Sequence, residues 1–474
     1  MSITLRPYQN QITDETRTLM RQGEKDILIV SPTGSGKTML TANMLKTAAN
    51  KGMTAFFLVH RRELINQSIR AFNDLKINYF GVIANNYVEA KKMPIQICSV
   101  QTLARRLHLY KQPNLIVFDE CHHCAAVSWN KIYQAYKSSF KVGLTATPVR
   151  LDGTGLKKWF SKMVTGPSVK ELIDQKYLVG YKLFAPKGIS TSGLHMSMGD
   201  FNKHELALAA DRPSITGDAI RHYQQRANNK RCVIFCVNIE HSKHVVQKFN
   251  EAGYQAEHVD GETDPLERDA AIRRFKEGKT KILSNVDLFG EGFDLPALEA
   301  VSLLRPTASV GLYLQQVGRA LRTSDGKDCA IILDHAGNCE RHGLPDEERN
   351  WSLEDVENKN KKSDGANVKI CPFCYAAQFS GSPICKNCGL AFETKKRIIT
   401  ESDDDLVEVD LEALRRKRNF EQSKADSMEA LVEIGKKRKY KHPERWAYFV
   451  FKARQVKKLK GENAKQSVNQ DSLI

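Results

Sequence analysis

The residues whose types and spacing could do chemistry fall into three groups. The run ILIVSPTGSGKT sets a glycine-bearing loop between an apolar strand-like stretch and a helix-like one. In such a loop, free backbone N–H groups and the positive end of the helix dipole can hold phosphates. Gly34 and Gly36 permit close backbone approach, Lys37 is expected to reach the β and γ phosphates of a nucleoside triphosphate, and Thr38 to offer a hydroxyl to Mg2+. Pro32, Thr33 and Ser35 complete the loop. The second group is LIVFDE, an apolar run ending in Asp119 and Glu120, which predicts two carboxylates at the carboxyl edge of a sheet beside that loop. Asp119 suits a magnesium ligand and Glu120 a general base for the attacking water. An acidic pair alone ordinarily just ends a strand; the phosphate loop is what gives this pair a catalytic reading. The third group is Cys371-Pro-Phe-Cys374 followed by Cys385-Lys-Asn-Cys388-Gly, whose paired spacing suits four thiolates around a structural Zn2+. Four protein ligands leave no open position for water, so this group is expected to stabilise folding and present a surface.

The tetrad CHHC at 121–124 also offers metal-ligand types, but adjacent residues do not easily converge on one tetrahedral ion. His122 and His123 are expected instead to couple the phosphate site to neighbouring motifs.

Positioning these residues requires parallel sheets. ILIV (27–30), AFFLV (55–59), IQICSV (95–100), LIVFD (115–119) and KVGLT (141–145) read as strands alternating with helical stretches. CVIFCV (232–237), AEHVD (256–260), KILSNV (281–286), AVSLLR (300–305) and CAIILD (329–334) form a second such series. Both predict α/β domains with helices on the two sheet faces. Residues 180–215 show no period and receive no role. After residue 340 the chain turns polar, too poor in apolar groups for a core, and reads as a linker. It leads to the cysteine cluster, an acidic stretch, and a Lys/Arg-rich tail.

At 474 residues, two or three domains are expected. The formal charge of +17 favours a polyanion through release of phosphate counterions. The sequence contains no apolar run approaching the roughly 20 residues that span a bilayer, so no membrane partner is expected. Eleven cysteines, four of them in metal-spaced pairs, suit a reducing compartment better than a disulfide framework. The tail KKRKYKHPERWAYFVFK mixes basic residues with Tyr440, Trp446, Tyr448 and Phe449, suited either to stacking on nucleobases or to docking as an amphipathic helix.

In their order from residue 5 to 322, these motifs resemble those of the superfamily 2 helicases of the DEAD/DEAH-box type. DECH resembles the family's box, LTATP (Thr145, Ala146, Thr147) the motif linking hydrolysis to movement, and HRREL and SVQTL the strand-contacting motifs. Ser31, where the strict phosphate loop has glycine, is a variation the family commonly shows. The resemblance implies adenine recognition by Arg6, Tyr8 and Gln9 of LRPYQ, a cleft-to-strand link through Gly292 and Asp294, and cleft residues Gln315, Arg319 and Arg322 from QQVGRALR. Arg322 is the expected arginine finger. Within the superfamily the chain resembles the bacterial RadD type and, next, phage motors of the UvsW type.

The implied fold is two tandem RecA-like parallel-sheet domains, at 1–165 and 166–345. A linker (346–366), a zinc-ribbon-like module (367–395) and an acidic linker with a helical basic tail (396–474) are expected to follow. The implied activity is ATP hydrolysis, with ATP, Mg2+ and Zn2+ as cofactors, coupled to unwinding or remodelling nucleic acid, DNA in preference to RNA. Repair, recombination or replication in a bacterial or phage-infected cytoplasm follows from the same resemblance, with a single-strand-binding or repair protein as a further partner. Two other readings stay open: an RNA helicase, and a binding scaffold with a vestigial ATPase.

Overall fold

The computed structural model describes residues 4–150, 154–185, 196–197, 200–201, 213–288, 298–354, 368–371, 373–392 and most of 420–452. The chain forms two compact units, residues 1–394 and 395–474.

The larger unit contains two sheets. In the first, β1 (Asp26–Val30), β2 (Ala55–Val59), β3 (Phe80–Ile83), β4 (Ile95–Ser99), β5 (Leu115–Phe118), β6 (Phe140–Thr145) and β7 (Lys162–Thr165) run parallel in the order β3-β4-β2-β5-β6-β1-β7. Their central members are buried along almost their whole length, as expected for strands covered on both faces. One core cluster fills one face, with Ile27, Ile29, Phe57, Val117 and Leu144 among its members. A second fills the other, with Leu28, Phe56, Phe118, Trp129 and Phe160. The order sets the ends of β5, β6 and β1 side by side, and in open parallel sheets ligands bind outside those carboxyl ends.

The second sheet is built from β8 (Gly180–Phe184), β11 (Cys232–Phe235), β12 (Ala256–Val259), β13 (Ile282–Asn285), β14 (Ala300–Leu303) and β15 (Cys329–Asp334), all parallel. A two-strand hairpin, β9 (Met196–Ser197) with β10 (Asp200–Phe201), precedes β11. The sheet continues past β8 into antiparallel β17 (Ala376–Phe379) and β16 (Val368–Ile370), giving the order β12-β13-β11-β14-β15-β8-β17-β16. Both doubly covered parallel sheets expected from the sequence are present.

Two stretches differ from expectation. Residues 180–184, within the segment without a period, form the strand β8. GYKLF carries a glycine and a lysine and buries only its end, so it lacks the continuous apolar run of the other strands. The polar segment after residue 345 is not a free linker over its first part. Arg349 donates to the carbonyls of His342, Leu344 and Glu347, and the Tyr181 hydroxyl bonds Asp346, which anchors the segment to the second lobe. Trp351 and Leu353 then pack on the second core cluster of the first lobe, and the Leu353 carbonyl accepts from the Lys157 N–H at 2.9 Å. Two apolar side chains suffice because they join an existing core.

The smaller unit buries Ala425, Leu431 and Ala447 around the helix Met428–Lys437, with Trp446, Val450 and Phe451 packed against them. Trp446 lies against Gly435, with the Arg438 guanidinium 5.8 Å from its ring centre, so its indole belongs to this small core. Tyr448 is half exposed and Lys452 sits over its ring. Tyr440 and Phe449 lie outside the described residues.

A side chain at Gly155 would overlap the Leu353 carbonyl and the Glu354 backbone. Gly155→Ala is therefore expected to lift the 351–354 segment and destabilise the protein by about 1–3 kcal/mol, the usual range for overpacking. Chemical denaturation of this variant beside Gly261→Ala, a control where an added Cβ meets nothing within 4 Å, checks the value.

Candidate active site

The phosphate loop is shaped by two glycines in the left-handed region, Gly34 at φ +87° and Gly36 at φ +78°, where a side chain would be strained. Gly36 caps the helix Lys37–Asn50, so that helix begins at the lysine and aims its N-terminal N–H groups into the loop. A Cβ at Gly36 would come within 2.6 Å of the Gln9 amide, and one at Gly34 within 2.8 Å of Leu178. The loop is braced from behind: the Tyr8 hydroxyl donates to the Ser35 carbonyl at 2.6 Å and the Gln9 amide to the same oxygen at 3.0 Å. Ser31 and Ser35 bond through their hydroxyls at 2.8 Å. That contact gives Ser31 a local role at the position where the strict motif has glycine.

Lys37 is folded back onto its own loop, donating to the carbonyls of Ser31 at 3.0 Å and Pro32 at 3.3 Å. Burial pushes its pKa down, opposed by the carboxylates of Glu120 and Asp119. Burial, then the Glu120 carboxylate, push the Asp119 carboxyl up to about 7, with Lys37 pulling the other way. Two part-buried carboxyls facing one part-buried lysine are short of positive charge. The residues thus fit a divalent cation, which Asp119 and Thr38 would hold and which would neutralise charge on the transferred phosphoryl group.

Glu120 adopts φ +49°, uncommon for a residue with a side chain, and such strain clusters at working sites. Its Oε2 is buried without a hydrogen-bond partner among the described residues, 3.5 Å from His122 Nδ1. That nitrogen lies 3.3 Å from the Thr145 hydroxyl, which donates to the Thr147 carbonyl at 2.8 Å. Among the described residues, the CHHC tetrad forms no metal cluster. Its histidines instead link the acidic pair to Thr145 and, by ring contact of His123 with His60 at 4.8 Å, to the HRREL stretch.

From the second lobe, the helix Val310–Ala320 lies directly on this loop. A Cβ at Gly318 would sit 2.8 Å from Thr33, and one at Gly311 2.7 Å from the Thr147 hydroxyl. Positions 311 and 318 are two turns apart and share one face. Two glycines on one face of a helix each cost about 1 kcal/mol against alanine, a sequence signal of close approach that the motif reading passed over. The result is one cavity of about 330 Å3 lined by Lys37, Thr38, Asp119 and Glu120 of the first lobe and Gln315, Arg319 and Arg322 of the second. Arg6, Thr33, Gly34 and Gly36 also line it; Gly292 and Asp294 fall outside the described residues. Tyr177, which sequence reasoning missed, lines it too, carried by the connector between the lobes.

Comparison with known proteins agrees with this geometry. Residues 2–150 match the family model described as the type III restriction enzyme res subunit, and residues 215–324 the helicase conserved C-terminal domain. The chain is a superfamily 2 helicase of the DEAD/DEAH-box type. It is thus an ATP-dependent nucleic-acid motor enzyme. A 51.5 kDa protein of a Lactococcus phage is 35% identical over 386 residues, which cover 80% of this chain and 82% of that one. The putative ATP-dependent helicase IRC3 of Saccharomyces cerevisiae is 31% identical over 357 residues, or 70% of this chain; the match spans about half of IRC3, 51%. A fragment of a putative HsdR subunit of a type I restriction enzyme from Vibrio vulnificus shares the fold. Its TM-score is 0.57 at 23% identity, over 71% of this helicase and 66% of that fragment. No helix among the helicase's described residues is long and apolar enough to cross a membrane.

The four cysteines of the paired motif converge, with all four sulfurs within 4.8 Å of one another. Cys371 and Cys388 lie 3.7 Å apart and Cys374 and Cys385 3.6 Å apart. Four convergent thiols, with no carboxylate or histidine among them, fit Zn2+ as a closed structural site. The module is fused to the second lobe: the Ala185 N–H donates to the Tyr375 carbonyl at 3.1 Å and Arg226 to the Cys374 carbonyl at 3.2 Å.

Two outcomes follow for this helicase. Protonation of Asp119, below about pH 7, competes with a cation, so the Mg2+ concentration needed for half-maximal ATP turnover should rise as pH falls from about 8 to about 6, approaching tenfold per unit at the acid end. Asp119→Asn should remove that pH dependence; a wild-type Mg2+ requirement independent of pH contradicts the assignment. Protein purified without chelator should carry one Zn2+ per chain, and Cys385→Ser should lose it, as read by elemental analysis.

Proposed function

We propose that this helicase couples ATP hydrolysis to translocation along, and unwinding or remodelling of, DNA in repair, recombination or replication. The hydrolytic half of the reading is carried by the cavity shared between the lobes. Lys37, Asp119 and Glu120 face Gln315, Arg319 and Arg322 across it, so the set is complete only when the lobes close. In use, Thr38 and Asp119 hold the cation, Lys37 leaves its loop carbonyls for the β and γ phosphates, and Glu120 takes a proton from the attacking water. Arg322, with Arg319, neutralises charge on the phosphoryl oxygens, an effect worth about a thousandfold or more in rate. Thr145–Thr147 then relay closure to the strand-contacting surface.

DNA as the polymer is supported by the first lobe's match to a restriction-enzyme subunit model, since restriction enzymes act on DNA. The charge of +17 suits either nucleic acid. The same proposal retains the division at residues 165 and 345 into two motor domains, the Zn2+ module after them, the RadD-like placement, and a single-strand-binding or repair protein as partner.

Steady-state ATP hydrolysis by wild type and Lys37→Ala, alone and with single-stranded DNA, duplex DNA or RNA, tests it. Stimulation by DNA that the variant loses is the expected result. Stimulation by RNA alone would move the polymer to RNA, and hydrolysis by the variant equal to wild type would sink the assignment of the cavity.

A further inference from the structure

The adenine-recognition residues named by the family resemblance are used, in this structure, largely to brace the phosphate loop. Both ends of the Gln9 amide are engaged within the chain: Oε1 accepts from the Arg6 N–H at 2.9 Å, and Nε2 donates to the carbonyls of Ser35 and Gly36. The Tyr8 hydroxyl donates to Ser35. Arg6 remains as a planar group at the cavity wall, and its guanidinium is fixed from two sides. One nitrogen donates to the Tyr8 hydroxyl at 3.1 Å, and the carbon lies 4.4 Å from the ring centre of Tyr177. Tyr8 and Tyr177 themselves meet edge to face at 5.4 Å. A guanidinium held over an aromatic ring on one side can offer its other side as a platform for a second π system.

The spacing decides where a base can go. Two π planes need about 7 Å between them to admit a third at van der Waals separation, since carbon atoms pack at about 3.5 Å. At 4.4 Å the gap between Arg6 and Tyr177 is closed to a base. The side of the guanidinium away from Tyr177 remains, and Arg6 lines the cavity that Lys37 and Thr38 also line.

We propose that Tyr177 is a positioning residue for the nucleotide base, holding the Arg6 guanidinium in place so that the base of a nucleoside triphosphate stacks on its side away from Tyr177. The proposal rests on the reading of this cavity as the ATP site. Tyr177 belongs to neither sheet: it follows Lys176, in the left-handed region at φ +61°, and precedes Leu178, which packs on Gly34 and pairs with Arg322. A base seated on the Tyr177–Arg6 stack is therefore registered by the connector that also carries the contact to the finger arginine. The base thereby reports its presence to the hinge, which a bare triphosphate does not.

Binding of ATP and of inorganic tripolyphosphate to wild type, Tyr177→Ala and Tyr177→Phe, measured by calorimetry, separates this role from a structural one. Tyr177→Ala is expected to weaken ATP about tenfold, equivalent to about 1.4 kcal/mol, and to leave tripolyphosphate within twofold. Tyr177→Phe keeps the ring under Arg6 and should bind both as wild type does. In turnover, Tyr177→Ala should raise KM with kcat within twofold. Equal loss of both ligands would mean a folding role, and no loss of ATP would mean no base platform; either overturns the proposal. Wild type that binds tripolyphosphate and ATP equally well removes the base subsite alone, whereas wild type that binds neither removes the ATP reading with it.

Discussion

The contact on which the rest of the structure depends is the one between Gly318 and Thr33. A helix of one lobe is brought onto the phosphate loop of the other with only the Thr33 side chain against a bare glycine, and that approach delivers Gln315, Arg319 and Arg322 to the cavity. Helix geometry repeats the device two turns earlier, where Gly311 meets Thr147. Both first-lobe threonines lie at the ends of strands that also carry chemistry. A shift of the helix is thus felt at the loop that holds phosphate and at the motif in contact, through Thr145 and His122, with Glu120. The glycines lower the helix's own stability, and the helix is held in place by burial of Tyr313, Val317 and Ala320 against its sheet.

The electrostatics of the cavity have the same divided character. The first lobe alone presents two part-buried carboxyls and a single part-buried lysine; burial raises Asp119 and lowers Lys37, and the attraction between them opposes both shifts. A cation and a phosphate chain relieve both. The arginines arrive only from across the cleft, so the charge balance for the transition state, which is more spread out than that of the bound nucleotide, is completed by the second lobe.

Much of the fold was legible because central parallel strands are apolar without interruption: LIVF, CVIF and CAIILD each declare themselves. The strand GYKLF did not, because β8 is flanked on one side by a small antiparallel ribbon and needs little apolar content of its own. The site residues named by motif lie where motif order suggested for the phosphate loop, the acidic pair and the glutamine–arginine helix. What the sequence could not reveal were groups whose role comes from long-range placement. Tyr177 sits 171 positions (177 − 6) from Arg6, in a segment to which no motif was assigned. The sequence left Trp446 open to base stacking or to docking in a helix, and its ring packs on Gly435. The cysteine pairs were legible as a cluster, but not their attachment to β8, since strand pairing leaves no local mark.

The segment 345–354 changes the connectivity of the machine. A chain that passed between the lobes once would leave them as two beads on a string, free to swivel about a single point. Here the backbone crosses at 166–179, returns to the first lobe to seat Trp351 and Leu353, and must cross again to reach β16. The two passages lie on one cavity, which Pro167 and Val169 of the first share with Arg349 and Trp351 of the second. Two lengths of chain side by side restrict the swivel that one would allow, and a single backbone cut at the connector would leave the two halves still tied together.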